Sequence, residues 1–158
     1  MKPTRREALV TIAALASPSP GEGQAAILSA SELEWLQSLV DAIIPRTETP
    51  GASDAGVPAY IDRRLAASPQ LAEAFRGGMK ALDSEARSRF GAGFPALSSG
   101  QQMELLKPRQ DDPFFRMMKG MTVDGYYTSQ EGLSSELGWH GNTFLAEFKG
   151  CTHPEHQR

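Results

Sequence analysis

Helix starts are the most legible feature of this chain, and they limit what it can fold into. Ser68-Pro69 and Asp112-Pro113 each place a capping side chain directly before a proline, whose missing N–H costs nothing in a first helical turn. Behind Pro69, Leu71, Phe75, Met79, Leu82, Ala86 and Phe90 recur at three- and four-residue intervals until Gly91-Ala92-Gly93 ends the run. Gly77-Gly78 weakens the middle of that helix by roughly 1 kcal/mol per glycine relative to alanine, and predicts a kink or a close helix contact. Behind Pro113 the core positions are Phe114, Met117, Met118, Met121 and Thr122. Ser31 with Glu34 reads as a capping box for a first helix carrying Leu33, Leu36, Val40 and Ile43, joined by Trp35, Leu39 and Ile44, and ended by Pro45. A polar loop over 47–57 follows, and Pro58 opens a short helix with Tyr60, Ile61 and Leu65 inward. Ser98 or Ser99, with Gln101 or Gln102 in the capping-box place, starts another short helix through Leu106. No apolar–polar alternation reads as a strand. The expected fold is all-α: a small orthogonal helical domain over 31–128, with an extended glycine-rich C-terminal arm over 129–158 broken by Gly132, Gly138, Gly141 and Gly150.

The amino end has a different character. Lys2, Arg5 and Arg6 precede a short apolar run, and Ala14-Leu15-Ala16 has the small-x-small pattern read by a signal peptidase. Residues 1–16 therefore read as a twin-arginine export leader, which implies a periplasmic destination, and 17–30 as a linker opening on Ser-Pro-Ser-Pro-Gly-Glu-Gly. The run falls short of the roughly 20 apolar residues of a permanent membrane span. The 158 residues carry a net charge of −3, and the leader's three cations and one anion leave the body near −5. Without a basic stripe, nucleic-acid binding is disfavoured. A single cysteine, Cys151, excludes an internal disulfide framework.

Few residues are grouped as chemistry requires. Cys151, His153 and His156 are potential zinc or copper ligands, with His140 as a fourth if folding brings it near. The same residues offer the only close pairing of a nucleophile with a base. There is no Cys-x-x-Cys-His for covalent haem attachment, no dinucleotide fingerprint and no phosphate-binding glycine loop. The carboxylates are scattered. Aromatic residues, by contrast, are in surplus. Phe114 and Phe115 cannot both point inward from one narrow helix face, Tyr126-Tyr127 repeats the problem, and Trp139-His140 adds to it. Rings beyond what a small core buries point to an interface. The expected contact residues are Phe114, Phe115, Tyr126, Tyr127, Trp139, His140 and the region of Cys151.

Several blocks carry a resemblance. They are Leu39 to Ala52 (LVDAIIPRTETPGA), Ala55-Gly56-Val57-Pro58, Phe114-Phe115, Thr122 to Ser129 (TVDGYYTS), Leu137 to Gly141 (LGWHG) and Gly150-Cys151-Thr152-His153, behind Arg5-Arg6. In order and spacing they resemble subunit 3 of gluconate 2-dehydrogenase, the small subunit of membrane-associated, flavin-dependent sugar and sugar-acid dehydrogenases. The resemblance implies a large subunit of the glucose-methanol-choline type that carries FAD and oxidises a sugar hydroxyl. It also implies a cytochrome c subunit, with haem, as the common onward electron carrier. The small subunit has no established chemistry of its own; its leader carries the flavoprotein through the twin-arginine translocase as a folded pair. No catalytic or cofactor-binding residue transfers to this chain. The rival expectation is a small exported metal-binding or redox protein built on Cys151, His153 and His156.

Overall fold

A computed structural model describes residues 26–139 and Gly141. Five α-helices follow one another: α1 (Ala30–Ile43), α2 (Val57–Ala66), α3 (Pro69–Phe90), α4 (Ser99–Leu106) and α5 (Pro113–Tyr127). Single tight turns at Phe94–Ala96 and Lys107–Arg109 and a wider one at Gly132–Glu136 complete the order, with no strand among the described residues. The all-α expectation holds.

Local chemistry sets most of the helix starts. Ser68 Oγ accepts the Leu71 amide and Asp112 Oδ1 the Phe115 amide, each with proline in the first turn. Ser98 and Gln101 form a reciprocal capping box. Helix α1 departs from expectation: its box is Ser29 with Glu32, two residues before the Ser31–Glu34 pair. Both pairs fit the pattern, and tertiary contacts choose between them. The Asp62 carboxylate of α2 accepts the amides of Ile27 and Leu28 at 3.2 and 3.0 Å. Arg76 of α3 donates to the Ile27 carbonyl and to Glu32. This clamp fixes the incoming chain before Ser31 is reached, so Ile27 to Ser29 belong to the body rather than to a 17–30 linker. The leader over 1–16 lies outside the described residues.

The core is centred on Trp35, whose ring meets Phe75 at 6.1 Å, Phe94 at 5.5 Å and Phe114 at 6.5 Å between centroids. Around it lie Leu36, Leu39 and Val40 of α1, Ile61 and Leu65 of α2, Leu82 of α3, Leu105 of α4 and Met118 of α5, all buried. Helix α2 packs on both α3 and α5. Of the two adjacent glycines of α3, Gly77 faces open space, whereas a Cβ on Gly78 would fall 2.1 Å from the Phe114 ring. Gly78 is therefore where α5 reaches α3, and the close-contact alternative is the one the chain uses.

The loop between α1 and α2 is built as tightly as a helix. Asp41 accepts the Ser53 amide at 2.8 Å and the Ser53 hydroxyl at 2.6 Å. The Ala52 amide donates to the Ile44 carbonyl, and Asp54 accepts the Gly51 amide and pairs with Arg46. Hydrogen bonds to a charged acceptor contribute about 1.5–3 kcal/mol each. Asp41→Ala removes two of them, and we expect it to lower unfolding stability by about 3 kcal/mol or more. Asp41→Asn, which keeps one acceptor, should lose clearly less. Urea unfolding of both variants measures the difference.

Candidate functional site

The carboxyl-terminal end of α5 and the turn packed on it form the surface where the aromatic residues can be assessed. Helix α5 stops because Thr128 and Ser129 turn their hydroxyls back onto it. Thr128 Oγ1 donates to the Asp124 carbonyl at 2.6 Å, and Ser129 Oγ to the Tyr126 carbonyl at 2.7 Å. Ser129 Oγ then accepts the Gly132 amide at 3.0 Å and directs the chain into the wide turn. Within it the Leu137 amide reaches the Gly132 carbonyl, an i→i+5 closure, and the Trp139 amide the Leu133 carbonyl at 2.8 Å. A Cβ on Gly132 would lie 2.1 Å from the Tyr126 carbonyl oxygen, so only glycine lets the turn seat against the helix. The segment expected to be irregular thus starts as an ordered helical turn, because its glycine permits a close approach instead of merely breaking structure.

The expected interface residues separate into two groups. Tyr126 is 1% exposed, and its hydroxyl donates to the Pro50 carbonyl at 2.8 Å, across 76 positions of sequence. It belongs to the core and ties the 44–56 loop to α5. Phe114 and Phe115 are half-buried against the core, Phe114 in the space left by Gly78. Phe114 fits there because the neighbouring helix lacks a side chain where its ring goes, and Phe114 and Phe115 each keep part of their surface exposed. Tyr127 stays 38% exposed, its ring edge-on to Tyr126 at 5.2 Å, and Trp139 stays 47% exposed. Val123 and Leu137 (60% exposed) add apolar surface at this end that the sequence reading did not single out. Val123 lies one helical turn before Tyr127, off the face that buries Met118, Met121, Thr122 and Tyr126, and that periodicity was the available signal. His140, Cys151, His153 and His156 lie outside the described residues, as do Arg5 and Arg6. Among the described residues no three His, Cys, Asp or Glu side chains converge as a metal site would need.

Other concavities are lined by groups already engaged within the fold. The groove between α1 and α3, about 810 Å³, contains Trp35, Lys80, Asp83 and Arg87. Asp83 accepts the Phe94 amide and the Arg87 guanidinium, both at 2.9 Å. The buried Trp35 indole N–H lies beside this carboxylate but outside hydrogen-bond geometry. Burial raises the Asp83 pKa, and the Phe94 amide and Arg87 outweigh it, leaving the group below its ordinary value. Glu32 is lowered chiefly by the Ser29 amide and Glu85 chiefly by Arg109. Each depressed value favours the folded state above the ordinary carboxylate range, and that contribution is lost as pH falls through the folded values. The urea midpoint should therefore hold steady from neutral pH down to that range and then decline. Asp83→Asn should give a lower starting stability and a shallower acid decline.

A family model for gluconate 2-dehydrogenase subunit 3 matches residues 30–144, which takes in all five helices and the wide turn. No curated protein and no solved structure gives a significant match.

Proposed function

This chain belongs to the gluconate 2-dehydrogenase subunit 3 family, and from that premise we propose that it is a non-catalytic small subunit that binds and stabilises an FAD-dependent dehydrogenase of the glucose-methanol-choline type. The flavin belongs to the large subunit, which oxidises a hydroxyl of a sugar, sugar acid or glycoside, and a cytochrome c subunit accepts the electrons. The observation that carries this reading is the surface at the end of α5. A small domain that buries Tyr126, Phe75 and Phe94 completely leaves Tyr127, Leu137 and Trp139 outside. Large apolar groups gathered at one end of a small domain are surface that an assembly covers. A stable heterodimer buries more than about 1,000 Å², which Tyr127 and Trp139 would anchor and the rest of this end would complete.

The second part of the role is export. With Arg5 and Arg6 ahead of an apolar run, the chain escorts its folded partner through the twin-arginine translocase to the periplasm. Replacing both arginines by lysine keeps the charge but removes the arginine pair. Cell fractionation should then find the dehydrogenase activity in the cytoplasm, with the complex intact. Periplasmic activity at the normal level in that variant would count against the escort role while leaving the subunit role standing.

A further inference from the structure

We propose that the groove between α2 and α3 holds the chain's own apolar run, residues 8–16. The groove measures about 600 Å³, and its walls include Ile27, Leu65, Ala66, Pro69, Ala72 and Gly77. Arg76 also borders it, but its guanidinium is committed to Glu32 and to the Ile27 carbonyl. Glu73 and Lys80 are exposed and form the rim. Gly77 gives the groove its depth. A glycine inside a helix costs roughly 1 kcal/mol relative to alanine, and a Cβ on Gly77 would meet nothing within 4 Å. The packing of the fold therefore gains nothing from this glycine, in contrast to Gly78. Its missing side chain leaves room for something the groove receives.

The way the chain enters the fold identifies the occupant. Ile27 is held through its backbone: its amide donates to Asp62 Oδ1, and its carbonyl accepts from Arg76. Asp62 and Arg76 belong to α2 and α3, the two helices that form the groove. Residues 1–26 therefore join the body at the groove wall. Residues 17–26 separate the apolar run from Ile27, and extended they span at most about 35 Å. From Pro69 to Lys80 the α3 side of the groove is about 16 Å long, so this tether reaches all of it. Residues 8–16 wound as a helix would measure about 14 Å, close to the length available. The run carries no charge, Thr11 is its one polar residue, and its alanines suit a floor of small residues. A short tether supplies an effective concentration in the millimolar range, which a separate partner or a second copy has to match. Docking needs only the run and the groove. Its consequence rests on the export role proposed above: while docked, the run behind Arg5 and Arg6 is withheld from the translocase.

The test uses the full chain by itself, with amide hydrogen exchange of residues 8–16 followed by mass spectrometry. Exchange in wild type should be at least about tenfold slower than in Gly77→Leu, whose new side chain fills the groove floor. That variant should fold, since the added Cβ meets nothing, and circular dichroism verifies it. Gly120→Leu puts the same side chain on an equally open glycine of α5 and should keep the wild-type protection. From the other side of the contact, Leu9→Asp with Ile12→Asp should shift the amide NMR signals of Ala72 and Gly77. Signals that stay in place, unprotected exchange in wild type, or equal loss in both glycine variants would overturn the proposal. Protection that grows with protein concentration would assign the groove to a second copy, and protection that appears only with the large subunit would assign it to the partner; either overturns it too. None of these outcomes removes the subunit role or the export role, which complex formation and cell fractionation read separately.

Discussion

Tyr127→Ala with Trp139→Ala is expected to leave the domain folded and to weaken the heterodimer by at least about a hundredfold. Exposed aromatic anchors at the centre of an interface typically cost about 2 kcal/mol or more each on truncation, and 1.4 kcal/mol is a factor of ten. The folding cost should be small. Trp139 contributes its backbone amide to the turn, and that bond survives the substitution. Tyr127 loses an edge-on contact with Tyr126, worth about 1 kcal/mol. Circular dichroism and urea unfolding establish that the variant is folded, and titration against the large subunit gives the affinity. Tyr126→Phe is the informative contrast. It removes the hydrogen bond to the Pro50 carbonyl inside the fold, so it should lower stability by about 1 kcal/mol and leave affinity close to wild type. Two adjacent tyrosines would thereby show opposite behaviour.

The second large effect concerns the neighbouring glycines of α3. Gly78→Val should destabilise the domain by about 2 kcal/mol or more, or roughly 10 °C in melting temperature for a body of this size. The new Cβ falls 2.1 Å from a Phe114 ring already packed toward Trp35, so the ring must leave or the helices must part. The gain in helix propensity over glycine offsets only a fraction of this. Gly77→Ala, one position earlier, meets nothing within 4 Å and should stabilise by up to about 1 kcal/mol. A double-mutant cycle pairing Gly78→Val with Phe114→Ala should be strongly non-additive, because both substitutions act on one contact. Additivity would mean that Gly78 is not where α5 meets α3.

The contrast between these glycines also shows where sequence reasoning stops. Caps are local, so Ser68-Pro69 and Asp112-Pro113 could be read directly from the chain, and the Ser98 box with Gln101 to within one residue. The choice of Ser29 over Ser31 could not be, since it depends on Asp62 and Arg76, more than thirty positions away. The surplus of aromatic residues could be counted in the sequence, but not apportioned between core and surface. Helix geometry says that Phe114 and Phe115 diverge; only the position of Gly78 across from them says that Phe114 has somewhere to go. Tyr126 is similar, because its partner Pro50 lies in a loop whose folded form depends on Asp41 and Ser53. The exposed surface that remains combines two residues the sequence singled out, Tyr127 and Trp139, with Val123, whose exposure follows from its place on α5, and Leu137, whose exposure follows from how the wide turn seats at Gly132. Blocks 39–52 and 122–129 carry much of the family likeness, and the structure joins them through the Tyr126–Pro50 hydrogen bond.

The central claim is that this chain is one subunit of a flavoprotein complex. Its most direct measurement is the mass and flavin absorbance of the species that carries a tagged copy of the chain out of its native cells, taken by light scattering across the eluting peak. The account predicts a complex containing this chain and one larger subunit, with flavin absorbance coincident with the mass and with sugar-oxidising activity. A folded, colourless monomer, alongside a flavoprotein that is stable and active without it, would contradict the account.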